Sequence, residues 1–271
     1  MFLKRAIVTL TIGPLLLYLV TVGGWFYFVP FLIVLSVAVY EYTQILGEMG
    51  WRVPFFLLLP LLIVQWFNAQ FSFVESDGLI WAASFLIIMI YGLWLYEAER
   101  HEQTLMSWFS LIVGVIVLGW LGSHFFWIRR LEEMAWQWTM LTFLATMFAD
   151  IGAYLVGRFL AGRFIFGKHQ LTPYLSPNKT VEGFAGGLLF ATAVAVLIAP
   201  ILGIPVFYGV LLGILVSIVG PMGDLSISLL KREAGVKDSG ILFPGHGGAL
   251  DRIDSLIWST TVGYYLAVLL F

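Results

Sequence analysis

Four aspartates, four basic side chains and a glycine-flanked histidine gather in one stretch, Gly223 to Ser255, of an otherwise apolar chain. The acids are Asp224, Asp238, Asp251 and Asp254. The bases are Lys231, Arg232, Lys237 and Arg252, and His246 stands between Gly245 and Gly247. Carboxylates are the natural ligands of a hard divalent cation such as Mg²⁺, which one or two of them share with substrate phosphates. Lysine and arginine supply the opposite charge to those phosphates. The types and spacing therefore point to metal and anion chemistry. Pro244-Gly-His-Gly-Gly248 suits a loop whose backbone approaches a ligand, and it suits no helix or strand interior.

The elements that must position these groups follow from spacing. Gly220-Pro221-Met222-Gly223 is expected to break a long apolar helix, leaving it tilted or interrupted. In the helix that follows, Asp224, Ser228 and Lys231 fall at i, i+4 and i+7 on one face. Asp224 then reads either as a metal ligand or as the N-cap of that helix, and the two roles are compatible. Asp251 and Asp254, at i and i+3, face one site while Arg252 turns away; the alternative is first-turn acids favoured by the helix N-terminus. His246 reads as a base, a phosphate donor, a ligand or a structural residue.

A second polar island, Ser176-Pro-Asn-Lys-Thr-Val-Glu-Gly183, places two hydroxyls, the Asn178 amide and the Lys179 ammonium within five positions. It reads as a phosphate cradle, or as a helix start with Thr180 capping and Pro177 shaping the turn. It is not a Walker A loop. Asp150, with Tyr154 and Arg158, ends an apolar segment at a depth where an unpaired acid is expensive.

Around these islands the chain is membrane-like. Of 271 residues, 61% are hydrophobic and only 11% charged, far below the roughly 25% charged of a soluble domain. With no cysteine, disulfides, thiolate metal sites and cysteine nucleophiles are excluded. Apolar runs near 6–22, 25–43, 53–68, 79–95, 106–126, 137–157, 182–200, 204–230 and 252–270 predict about nine transmembrane helices in an all-α polytopic membrane protein. The first run has no small-residue cleavage site and reads as a span. With the N-terminus cytoplasmic, 12 of the 14 Lys and Arg residues fall inside, all but Arg129 and Arg130, as short cytoplasmic loops prefer. Residues 1–135 read as scaffold helices. Residues 136–271 read as the catalytic part, with cytoplasmic-face loops 158–181 and 231–251.

Taken together, Asp150-x-Gly-Ala-Tyr, Gly-Arg158, Ser176-Pro-x-Lys179-Thr-x-Glu-Gly, Gly-Asp224-Leu and the signature from Ser228 through Lys231-Arg232, Lys237-Asp238 and Pro-Gly-His246-Gly-Gly to Asp251-Arg252-x-Asp254 resemble the phosphatidate cytidylyltransferase (CDP-diacylglycerol synthase) family. The match is strong over 143–260 and general before that. The resemblance implies CTP and phosphatidate as substrates, CDP-diacylglycerol and pyrophosphate as products, Mg²⁺ as cofactor, and a site on the cytoplasmic face of the inner membrane. It implies a metal centre on Asp224 and Asp251 with Asp254, and Lys231, Lys237 and His246 as further catalytic groups. Substrate contacts fall to Ser176, Asn178, Lys179, Thr180, Arg232, Asp238, Arg252 and Asp150. It leaves room for a second cation and for a homodimer, and no nucleic acid is expected as partner. Competing expectations are a CTP-dependent kinase or cytidylyltransferase acting on another lipid such as a polyprenol, and an ion-coupled transporter using Asp150, Glu182 and Asp224.

Overall fold

In lipid every backbone N–H and C=O must find a partner within its own segment, so an apolar chain of this kind resolves into helices. The computed structural model describes residues 13–99, 102–163, 167–240 and 247–270. In chain order its helices are α1 (Gly13–Val22), α2 (Gly24–Glu48), α3 (Phe55–Phe71), α4 (Asp77–Glu99), α5 (Thr104–Arg130), α6 (Ala135–Leu160), α7 (Val181–Ile198), α8 (Val206–Glu233) and α9 (Leu250–Leu270). Seven of them are long and apolar enough to cross a membrane, and α1 and α3 are shorter apolar helices. The protein is an all-α polytopic membrane protein in architecture. Seven of the nine expected spans thus have a helix of spanning length among the described residues; the runs near 6–22 and 53–68 have shorter ones, and part of the first lies outside the described residues.

The exception to an all-helical chain is a small hairpin. Strands β1 (Gln170–Thr172) and β2 (Ser176–Thr180) pair antiparallel, Gln170 opposite Thr180 and Thr172 opposite Ser176, with an irregularity between them. The sequence reading had this region as loop.

The chain divides into two compact units, and the division falls inside α8 and α9. The first comprises Gly24–Trp127 with Leu230–Ile253. Its core is aromatic: Phe28, Trp66, Phe125 and Phe126 are wholly buried, and the Trp66 indole donates to the Leu118 carbonyl at 3.0 Å. That carbonyl lies in a π-helical stretch of α5, Val115–Leu121, where the ladder opens.

The second unit comprises Ile128–Leu229 and Asp254–Phe271 with 13–23 of the described N-terminal residues. Trp138, Leu141, Ala145, Ala195, Leu212 and Val216 form its core. Small residues let its helices approach, the usual device where lipid removes the hydrophobic drive for helices to pair. A Cβ on Gly152 of α6 would come within 2.6 Å of Phe190 and 2.7 Å of the Gly186 carbonyl on α7.

The expected break at Gly220–Gly223 is absent. Helix α8 runs unbroken from Val206 to Glu233 with Pro221 inside it. The glycine at 223 serves packing instead: a side chain there would strike the Asp254 carbonyl and Trp258 of α9. Asp224 therefore sits mid-helix and is not an N-cap.

Candidate active site

Two clusters of charged groups emerge, one in each unit. In the second unit β2 carries Lys179 to α8, where its ammonium lies 2.7 Å from Asp224 Oδ2 and 3.4 Å from the Pro221 carbonyl. One helical turn on, Ser228 donates to Asp224 Oδ1 at 3.3 Å, as the i, i+4 spacing predicted. Both members of the ion pair are partly open to the surface, Lys179 24% and Asp224 37% exposed in their side chains. An anion can reach the lysine and a cation can reach the carboxylate.

The hairpin that carries Lys179 is tied down at the start of α7. Thr180 is the N-cap and its hydroxyl accepts the Gly183 N–H at 3.0 Å. Glu182, in the first turn, accepts the His169 N–H at 3.1 Å and lies 2.6 Å from the His169 ring Nδ1. Of the two readings of the Ser176–Gly183 island, the helix start is thus what Thr180 does. Ser176 opens β2 and Asn178 is exposed on it.

In the first unit the Lys231 ammonium pairs with Asp251 Oδ1, and both side chains are almost wholly buried. Asp251 Oδ2 accepts from the Ser239 N–H at 2.9 Å and the Gly248 N–H at 3.1 Å, and lies 3.0 Å from the Ser239 Oγ. Gly247 sits at φ +79°, and a Cβ there would collide with that same carboxylate. A glycine is needed both for the turn and for the approach.

Glu41, on α2, is the residue the sequence reading missed. It is 5% exposed and accepts the Ala249 N–H at 2.9 Å, the Leu250 N–H at 2.8 Å and the Ser239 hydroxyl at 2.8 Å. Its signal was present, since an acid inside an apolar run marks function by default. It was passed over because the first half of the chain read as scaffold.

The remaining predicted residues divide. Asp254, on α9 three residues after Asp251, is buried and accepts from the Ser255 N–H at 2.6 Å. Lys237, Asp238, Arg232 and Arg252 are exposed, and Arg232 donates to the Val236 carbonyl at 3.4 Å. Asp150 is exposed on α6. His246 lies outside the described residues.

Each cluster holds a lysine–aspartate pair, buried at Lys231–Asp251 and partly open to the surface at Lys179–Asp224. A profile of the cytidylyltransferase family matches residues 3–270. The chain belongs to the cytidylyltransferase family. Individual relatives agree across most of this family member's length. A phosphatidate cytidylyltransferase of Bacillus subtilis (strain 168) is 33% identical over 98% of this chain and 98% of its own. One from Staphylococcus aureus (strain COL) is 35% identical over 69% of this chain and 77% of its own. One from Mycobacterium bovis (strain ATCC BAA-935 / AF2122/97) is 31% identical over 86% and 78%.

Proposed function

We propose that this cytidylyltransferase uses phosphatidate as acceptor and CTP as donor, producing CDP-diacylglycerol and pyrophosphate. The observation that carries the reading is the end-to-end match to the B. subtilis phosphatidate cytidylyltransferase, 98% of both chains. The two lysine–aspartate pairs give that reading its chemistry. A phosphatidate oxygen attacks the α-phosphorus of CTP; a new P–O bond forms, the bond to the β-phosphate oxygen breaks, and pyrophosphate leaves with the electron pair.

The nucleophile is already anionic, so no strong general base is required. The barrier lies in bringing anions together and in charge on the leaving group, which fixed cations lower. Lys179, partly exposed beside Asp224, would take a phosphate. Lys231, buried on Asp251, holds charge in a water-poor setting where it acts more strongly. Ser176, Asn178, Arg232, Lys237, Asp238, Arg252, Asp150 and His246 stay substrate- or site-side assignments on the family resemblance.

Mg²⁺ suits the donor set. The acids are oxygen donors, and among the described residues no three His, Cys, Asp or Glu side chains converge; Mg²⁺ is usually held by one or two carboxylates plus substrate phosphates, without an all-protein cage. Asp224 has the open face. Asp251 already takes the Lys231 ammonium and the backbone N–H groups of Ser239 and Gly248, with the Ser239 hydroxyl in reach, so it would exchange a partner to bind. On the family resemblance Asp224, Asp251 and Asp254 stay the candidate acids for the cation, which when bound would supply charge for the pyrophosphate leaving group.

For the membrane arrangement we propose nine spans with the N-terminus cytoplasmic, residues 136–271 carrying the chemistry and 1–135 the scaffold. Loops 158–181 and 231–251 then meet CTP at the inner face of the cell membrane, at the depth of a lipid phosphate.

Purified protein in detergent, given phosphatidate and CTP labelled at either the α- or the γ-phosphate, tests the reaction. Label from the α-position alone in the lipid phase is expected. Label from the γ-position would make the protein a lipid kinase and overturn the proposal.

A further inference from the structure

We propose that Glu41 is a positioning residue for this transfer: from α2 it fixes the start of α9 and, through the Ser239 hydroxyl, the orientation of Asp251. The inference rests on the cytidylyltransferase reading above, and it gives a chemical role to the half of the chain read as scaffold.

Its geometry is specific. A helix start leaves backbone N–H groups without partners, and a nearby side chain normally satisfies them. Here the Ala249 and Leu250 N–H groups at the start of α9 are instead satisfied by Glu41, over two hundred residues earlier in the chain. The slot it fills is lined by glycine, since a Cβ on Gly240 or on Gly248 would collide with the Glu41 carboxylate. One carboxylate thus binds Ser239 and, ten residues further along the chain, Ala249 and Leu250.

The link to Asp251 is Ser239. Its Oγ lies 2.8 Å from Glu41 Oε2 and 3.0 Å from Asp251 Oδ2, while its N–H donates to Asp251. A hydroxyl has one proton to give, and both carboxylates are within reach of it, so they compete for its direction. Removing Glu41 therefore changes what Ser239 offers Asp251. It also frees the backbone on which Asp251 sits, one residue past Leu250.

A packing role alone would affect folding but leave the folded enzyme's turnover intact. The test compares the full-length wild type with Glu41→Gln, Glu41→Asp, Ser239→Ala and the Glu41→Gln/Ser239→Ala double variant. For each, kcat and KM for CTP and phosphatidate, thermal unfolding, and hydrogen exchange of peptides covering 247–253 are measured. Glu41→Gln keeps the length but turns an N–H donor toward backbone N–H groups; Glu41→Asp keeps the carboxylate but falls one methylene short.

The expected result is a loss in kcat of about tenfold or more, the scale seen when the partners of a ligating group are removed, with KM for CTP within about threefold. Exchange at 249–250 rises in both Glu41 variants and not in Ser239→Ala. The double variant is no slower than the slower single one, because the two residues act in one chain. A folded Glu41→Gln enzyme with wild-type kcat, or single effects that multiply in the double variant, would overturn the inference. If Glu41→Gln does not fold, Ser239→Ala decides alone, since it cuts the link to Asp251 and spares the bonds to α9; wild-type kcat there rejects the proposal. A wild type that moves no CMP to phosphatidate would instead sink the reaction assignment, and the exchange data would still decide whether Glu41 holds the start of α9.

Discussion

Lys179 Nζ lies 2.7 Å from Asp224 Oδ2, so a hairpin strand and the middle of α8 meet through one ion pair. The pair is partly exposed, and surface pairs contribute about 0–1 kcal/mol. It is therefore a weak stabiliser, and the lysine is available to exchange its carboxylate for a phosphate. Lys179→Met is expected to lower kcat/KM for CTP by on the order of 100-fold, a loss of about 3 kcal/mol in transition-state stabilisation, while the thermal midpoint moves by only a few degrees. Steady-state kinetics beside a detergent unfolding curve checks both halves.

The Lys231–Asp251 pair predicts the opposite balance. Both side chains are almost wholly buried, and removing one partner of a buried pair leaves a charge uncompensated, at about 3–5 kcal/mol. Lys231→Met is expected to unfold at a clearly lower temperature than wild type. Lys231→Met/Asp251→Leu should recover most of that stability, since an apolar pair can replace a buried ionic one, and should remain inactive. Unfolding midpoints of the three proteins measure the first claim and CMP transfer the second.

Two glycines separate strain from site geometry. Gly235 at φ +69° has open space where a Cβ would stand, whereas at Gly247 (φ +79°) a Cβ would meet Asp251 Oδ2. Each Gly→Ala change forces a left-handed conformation on an L residue, at roughly 1–2 kcal/mol. Gly235→Ala is expected to lose only stability, and Gly247→Ala to lose activity as well. Parallel activity measurements on the folded fractions distinguish them.

Thr180→Ala removes the cap of α7 and is expected to lower stability by about 1 kcal/mol. Thr180→Ser should restore it. Because Lys179 adjoins the cap, a modest rise in KM for CTP accompanies the alanine change and disappears in the serine variant.

The helices were legible because lipid leaves an apolar chain little choice but to satisfy its backbone internally. The Asp224–Ser228 contact followed from helical spacing alone. Pro221 reads as a break because the missing N–H argues against a continuing helix; the close approach of α9 to Gly223 is a tertiary fact that local pattern does not carry. The hairpin was hidden because Ser176-Pro-Asn carries turn-forming residues, and its pairing to Gln170–Thr172 is visible only once both strands are in place. Glu41 was hidden for the plainest reason: its partners Ser239, Ala249 and Leu250 lie far along the chain, and no local pattern connects them. The assignment of substrate came from motif resemblance, since spacing gives acids and lysines but not what they hold.

The proposed transfer depends on the carboxylates of Asp224 and of Asp251. The most direct measurement is transfer of α-labelled CMP from CTP to phosphatidate by folded Asp224→Asn and Asp251→Asn proteins beside the wild type, with Mg²⁺ present. The account predicts label in the lipid with the wild type and little turnover with either variant. Wild-type rates in both variants would contradict it.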